Sequence, residues 1–157
     1  MQKITPFLWF DNKAEEAVNF YTSIFKNSKV GKISRYGEAG PGPAGSAMTA
    51  EFELDGMKFL ALNGGPHFKF TEAVSFVVSC ETQDEIDYYW EKLTADGGQE
   101  SQCGWLKDKF GLSWQVVPTV IGKLMTGDPQ RSGRVMKALM PMKKLDIATL
   151  QHAYDQE

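Results

Sequence analysis

Ala50 to Gly65, AEFELDGMKFLALNGG, is the stretch whose reading decides the fold. Phe52 and Leu54 alternate with Glu51 and Glu53 ahead of Asp55-Gly56, and Met57, Phe59 and Ala61, then Leu62, resume the apolar pattern behind it. Period-two alternation around an Asp-Gly pair predicts two antiparallel strands joined by a two-residue turn, because both turn positions need positive φ. One face of the hairpin buries and the other meets solvent or a cavity. Gly64-Gly65 ends it. Phe110 to Pro118, FGLSWQVVP, repeats the glycine-then-strand pattern, so the unit is expected twice.

Working upstream, Ile4 to Phe10 reads as a strand with Pro6 at its start or edge, since proline lacks a ladder donor. Asp11 or Asn12 can cap a helix over about residues 14–25, where Ala17, Phe20, Tyr21 and Ile24 share one face. Val30 to Tyr36 follows as a strand. Gly37, Gly40, Pro41, Gly42, Pro43 and Gly45 then break regular structure, as a mobile lid or a plain connection. Downstream, Ala73 to Val78 is a strand, and Thr82 or Asp84 opens a helix carrying Ile86, Tyr89, Trp90 and Leu93. Gly97-Gly98 stops it, and Gln102 to Leu106 with Leu112 to Val117 makes a second hairpin.

The pattern is therefore a degenerate repeat: a βαβββ module over residues 1–65 and another over 73–118, within one domain spanning 1–157. Each half alone would leave an apolar sheet face exposed. Residues 119–157 form a helical extension with too few apolar positions for a core of their own, to be packed on the sheet or across a dimer interface.

Bulk composition bounds the function. A net charge of -3 with 24% charged residues gives no basic surface for nucleic acid and no acidic tail. No stretch is long and apolar enough for a bilayer, and MQKITPFLWFDN lacks a signal peptide's apolar centre, so a cytoplasmic protein without a membrane partner is expected. Cys80 and Cys103 form no C-x-x-C pair and are read as free thiols.

The chemistry-bearing residues are few. His67, the only histidine away from the C-terminus, is a candidate base that needs a spatial partner. Cys103 is a candidate nucleophile beside Lys107 and Lys109, or a small half-buried apolar residue. Glu51 and Glu53 share a strand face, where they bind a cation, act as a base or simply meet water. Trp105 and Trp114 flank a turn and are expected to pair across it. With Phe7, Trp9, Phe59 and Gln115 they are read as the walls of a pocket for a small hydrophobic or aromatic ligand. Neither G-x-G-x-x-G nor a Walker motif is present, and no cofactor is identified.

The pieces ITPFLWFDNKAEEAVNFYTSIF, ALNGGPHFKF, AVSFVVSCETQDEIDYYWEKL, QCGWLKDKFGLSWQVVP and RVMKALMPMKKLDI span nearly the whole chain. It resembles in them the PhnB-like branch of the vicinal oxygen chelate superfamily, often labelled 3-demethylubiquinone-9 3-methyltransferase. The resemblance implies an α+β fold of paired βαβββ modules forming a glyoxalase-like open barrel, here with a C-terminal helical extension, commonly as a homodimer. For function it implies a small-molecule-binding protein, an enzyme acting on an aromatic or quinone-like substrate, or a divalent-metal lyase, isomerase or dioxygenase. Metal ligands of active relatives carry over to Pro6, Leu62 or Asn63, Val74 or Ser75, and Gln115. Pro6 and Val74 have no donor side chain and Gln115 is a neutral amide, so no metal residues are assigned.

Overall fold

The computed structural model describes residues 2–156, and the chain divides into two compact units, Met1–Phe70 and Thr71–Glu157. The first contains β1 (Phe7–Phe10), α1 (Ala14–Ile24), β2 (Lys29–Arg35), β3 (Ala47–Leu54) and β4 (Met57–Asn63). Its sheet order is β1-β4-β3-β2, with β1 parallel to β4 and the other pairs antiparallel. β1 starts just after Pro6, whose carbonyl still accepts from Leu60 N at 2.9 Å. A proline fits at that boundary because only its missing N–H would interrupt the ladder.

The Asp55-Gly56 turn has φ of 50° and 79°, the doubly positive geometry that matches the twist of its strands. It sets the register Leu54↔Met57, Glu53↔Lys58, Phe52↔Phe59 and Glu51↔Leu60. Phe52 and Phe59 therefore share a face, stacked at 5.2 Å, and Tyr21 of α1 stacks on Phe52 at 6.3 Å. Ala14, Ala17, Val18, Tyr21 and Ile24 of α1 are all buried. Each large side chain so covered contributes about 1.5–3 kcal/mol.

Neither Asp11 nor Asn12 caps α1. The N-cap is Lys13, without a side-chain bond, and buried Asn63 closes the helix start from the far end of β4. Its Oδ1 accepts from Ala14 N at 2.8 Å and its Nδ2 donates to Ala47 O at 3.0 Å. A long-range cap leaves no mark in the local sequence. The glycine-proline loop after β2 folds onto Tyr36: a Cβ on Gly42 would lie 2.4 Å from that ring, and Tyr36 Oη donates to Asn63 O at 2.7 Å. It is an anchored connection.

The second unit repeats this wiring strand for strand: β5 (Ser75–Cys80), α2 (Gln83–Thr94), β6 (Gln99–Glu100), β7 (Trp105–Lys107) and β8 (Ser113–Pro118) in the order β5-β8-β7-β6. Thr82 caps α2, its hydroxyl accepting from Glu85 N at 3.2 Å. β6 is two polar residues long, too short and too polar for an alternation pattern. The second hairpin is narrower than Gln102 to Leu106 predicts, because Gln102 to Gly104 form a turn.

Three helices follow: α3 (Ile121–Leu124), α4 (Pro129–Leu139) and α5 (Ile147–Asp155). Leu124, Val135, Leu145 and Leu150 form their buried cluster. The extension is tied to its own unit. Cys103 N and Gly104 N donate to Met142 O and Lys143 O, both at 2.8 Å. The Gln83 amide donates to Leu145 O at 3.0 Å and accepts from Ile147 N at 2.8 Å. Lys144 pairs with Asp87 at 2.9 Å. That ammonium, then the Gln83 amide, holds the Asp87 carboxyl below its usual range.

Candidate functional site

The strand alternation that buries Phe52, Phe59 and Ala61 under α1 sends the intervening residues to the opposite, distal face of the first sheet. Two rows cross that face. The β-ladder aligns Phe7, Leu60 and Glu51 in one, and Lys58, Glu53 and Lys29 in the other. Glu53 approaches Lys29 at 3.9 Å. Beside Glu51 the neighbouring strand carries Gly31, where a Cβ would sit 3.1 Å from Glu51 Cβ. Glycine here leaves room above the carboxylate. The result is a cavity of about 430 Å3, with Thr5, Gly31, Glu51, Glu53, Lys58 and Leu60 among its walls. Of the alternatives for the glutamate pair, their side chains line a concavity.

Of the six residues predicted to wall an aromatic pocket, Phe7, Trp9 and Phe59 lie in the first unit and Trp105, Trp114 and Gln115 in the second. Phe59 is 5% exposed, its ring stacked on Phe52 toward α1, and both residues also border the cavity. Trp114 is 3% exposed, and its indole N–H donates to Asp108 Oδ2 at 2.9 Å. Trp105 stands opposite Gln115, and Leu106 opposite Trp114, so the two tryptophans lie on opposite faces and do not pair. Trp9 shares the distal face with Phe7 but is committed locally. Its indole donates to Gly65 O at 2.9 Å and meets the Phe68 ring edge-on at 4.9 Å. Phe7 is exposed, and Gln115 Nε2 donates to Ser75 Oγ at 2.9 Å.

His67 is exposed on the Gly64 to Phe70 segment and makes no side-chain hydrogen bond or ion pair among the described residues. Cys103 is half-buried at φ 59°, its thiol facing the carbonyls of Leu139 and Met140 at 3.8 and 3.7 Å. That places it as an anchor of the extension. Cys80 is fully buried; desolvation first, and then the charge of Glu85, pushes its thiol up to about 11.

The positions carried over from metal-dependent relatives do not fit a divalent ion. Both Asn63 side-chain atoms are spent on Ala14 N and Ala47 O. Gln115 and Ser75 bond each other, and Pro6, Leu62 and Val74 offer no side-chain donor.

Sequence reading missed Lys29, Lys58 and Gly31 as walls of the cavity. The two-residue turn carried the signal for Lys58, because it forces Glu53 opposite that residue.

The sequence profile of the family described as 3-demethylubiquinone-9 3-methyltransferase matches residues 2–117. A Bacillus cereus PhnB protein described under the same methyltransferase heading is 44% identical, with a TM-score of 0.70, over 75% of this chain and 100% of its own. A Pseudomonas aeruginosa protein at 19% identity has a TM-score of 0.62 over 75% of this chain and 98% of its own. The fosfomycin resistance protein FosX of Listeria monocytogenes, at 13% identity, has a TM-score of 0.58 over 80% of this chain and 98% of its own. The last two bear on the fold alone. No curated protein matches the chain. Two four-stranded mixed sheets with one wiring, a profile covering both, and the 44% identical Bacillus PhnB relative place the chain in the 3-demethylubiquinone-9 3-methyltransferase family.

Proposed function

We propose that this chain binds an amphipathic small molecule on the distal face of its first sheet. The observation that carries the reading is the juxtaposition of apolar Leu60 with the Lys58–Glu53–Lys29 charge row in the wall of the cavity of about 430 Å3, with exposed Phe7 paired beside Leu60 on β1. An apolar floor with a few convergent polar groups is the usual make-up of a small-molecule site. The ligand's ring or chain lies along Phe7 and Leu60, and its polar end meets the charged row. This narrows the hydrophobic or aromatic ligand expected from sequence to one that also carries a polar end. A homodimer, as the resemblance implies, and a cytoplasmic location, as expected from the sequence, belong to the same proposal.

The test is titration with anilinonaphthalene sulfonate, an amphipathic fluorescent probe. Leu60→Asp and Gly31→Val, which respectively charge the floor and fill the gap, are expected to weaken binding tenfold or more, while Met136→Asp on α4 leaves it unchanged. Equal affinity in all three refutes the site.

The alternative is catalysis on an aromatic or quinone-like substrate, with His67 as base. It is favoured by the family's name and by the exposure of that imidazole. Turnover that survives His67→Ala removes His67 from it.

A further inference from the structure

A second cavity, of about 190 Å3, lies on the second unit and is independent of the first-sheet site; Glu72, Glu100, Ser101, Trp105, Lys107 and Ser113 are among its walls. Ser113 lies opposite Lys107 across β7 and β8, so both side chains leave the sheet on the face away from α2. Ser113 is 1% exposed, and its Oγ has no hydrogen-bond partner among the described residues. Buried hydroxyls are almost always bonded, because leaving one unmet forfeits its hydration without return. A serine in this state on a cavity wall is a candidate to take a partner from outside the chain.

The charges on the wall narrow what that partner is. Lys107 pairs with Glu72, and this ammonium holds the Glu72 carboxyl below its usual range. Glu100 accepts the Trp90 indole N–H at 2.7 Å through one oxygen. Glu100 stands opposite Leu106 and turns its carboxylate to the α2 side, so the Glu72 carboxylate and the Lys107 ammonium remain, and a molecule carrying both signs finds a complement for each. The Trp105 indole supplies a flat wall for a short side chain and a face for a cation. The volume corresponds to about six waters at bulk density, room enough for a small amino acid with water beside it.

We propose that this cavity binds a small zwitterion of the α-amino-acid type, its ammonium against Glu72 and its carboxylate between Lys107 Nζ and Ser113 Oγ. No bond is made or broken; the site recognises. A molecule with one charge alone gains half of these contacts and leaves the Lys107–Glu72 pair to compete with it.

The experiment titrates the full chain calorimetrically with L-alanine, and with acetate and methylammonium at the same ionic strength. Saturable binding of L-alanine is expected, with each half-molecule at least tenfold weaker. Glu72→Gln and Lys107→Met should each weaken L-alanine about tenfold; both change exposed or half-exposed side chains. Ser113→Ala should weaken L-alanine about fivefold while raising the unfolding midpoint of the ligand-free chain, because it removes a buried polar atom that has no partner. Acetate binding as tightly as L-alanine overturns the proposal in favour of an anion site. Absence of saturable L-alanine binding overturns it outright. A Ser113→Ala variant with unchanged affinity and a lowered midpoint overturns it too, in favour of a water bound to the hydroxyl.

Discussion

Replacing Asp108 tests how the second sheet is held. This aspartate is 3% exposed in the connection between β7 and β8. Its Oδ1 accepts from Phe110 N at 2.9 Å and Leu112 N at 3.1 Å, and its Oδ2 accepts from Trp114 Nε1 at 2.9 Å. Leu112 and Trp114 are 2% and 3% exposed, so their donors have no recourse to water when the carboxylate goes. Hydrogen bonds to a charged group contribute about 1.5–3 kcal/mol each, and two buried donors left unmet put Asp108→Ala at about 3–5 kcal/mol of lost stability. Asp108→Asn keeps the Oδ1 role but turns an amide N–H₂ toward the indole N–H. Losing that one bond costs about 2 kcal/mol. Urea unfolding followed by tryptophan fluorescence is the assay, since Trp90, Trp105 and Trp114 all lie in the second unit. The ordering Ala worse than Asn, at unchanged m-value, is the outcome required. Asparagine costing as much as alanine, or alanine costing under about 1 kcal/mol, refutes the account of Asp108 as the clamp of this turn.

Two further outcomes follow from local geometry. Gly104 has φ 85°, and a Cβ there would lie 2.9 Å from Val116 O and 3.1 Å from Leu145 Cδ1. Gly104→Ala should cost about 2–4 kcal/mol, from left-handed strain plus a clash with a backbone oxygen, and should speed hydrogen exchange at the Ile147 amide; unchanged exchange would detach this turn from the extension. Cys80 has a folded-state pKa of about 11 against an ordinary 9.0, so between these values the folded chain holds more protons than the unfolded one and stability falls as pH rises from about 9 through 11. Cys80→Ala should flatten that slope relative to the native chain in urea melts across this range, and an identical slope would contradict it.

The hairpin explains why the fold was legible and the pocket was not. Asp55-Gly56 is a strong local signal, and its repeat around Phe110-Gly111 led to a duplicated βαβββ pattern, which appears as two sheets of one strand order. The same turn also determines which face each residue takes. Counting outward from it pairs Phe52 with Phe59, so the Phe59 ring stacks with the α1 core while the residue still borders the cavity of Glu51 and Glu53. Grouping aromatics by type instead of by parity put Trp105 and Trp114 on one face. Other features were out of reach. The Asn63 cap on α1 spans 49 residues, and the unmet hydroxyl of Ser113 exists only once β5, β7 and β8 are side by side. The anchoring of Cys103 depends on carbonyls from the helical extension, 36 and 37 residues away.

β2 has a consequence for solubility. In the order β1-β4-β3-β2 it is an outermost strand of seven residues, long enough to template another chain through its unsatisfied main-chain groups. Its register against β3 shifts between Val30 and Ile33 and again between Ser34 and Arg35. Lys29, Lys32 and Arg35 place three cations along it. A kinked border bearing like charges repels an identical border, so this rim resists fibril-like stacking even though Val30 is 40% exposed. The glycine that opens space above Glu51 lies within the first of those shifts, so one irregularity both clears a cavity and guards against aggregation.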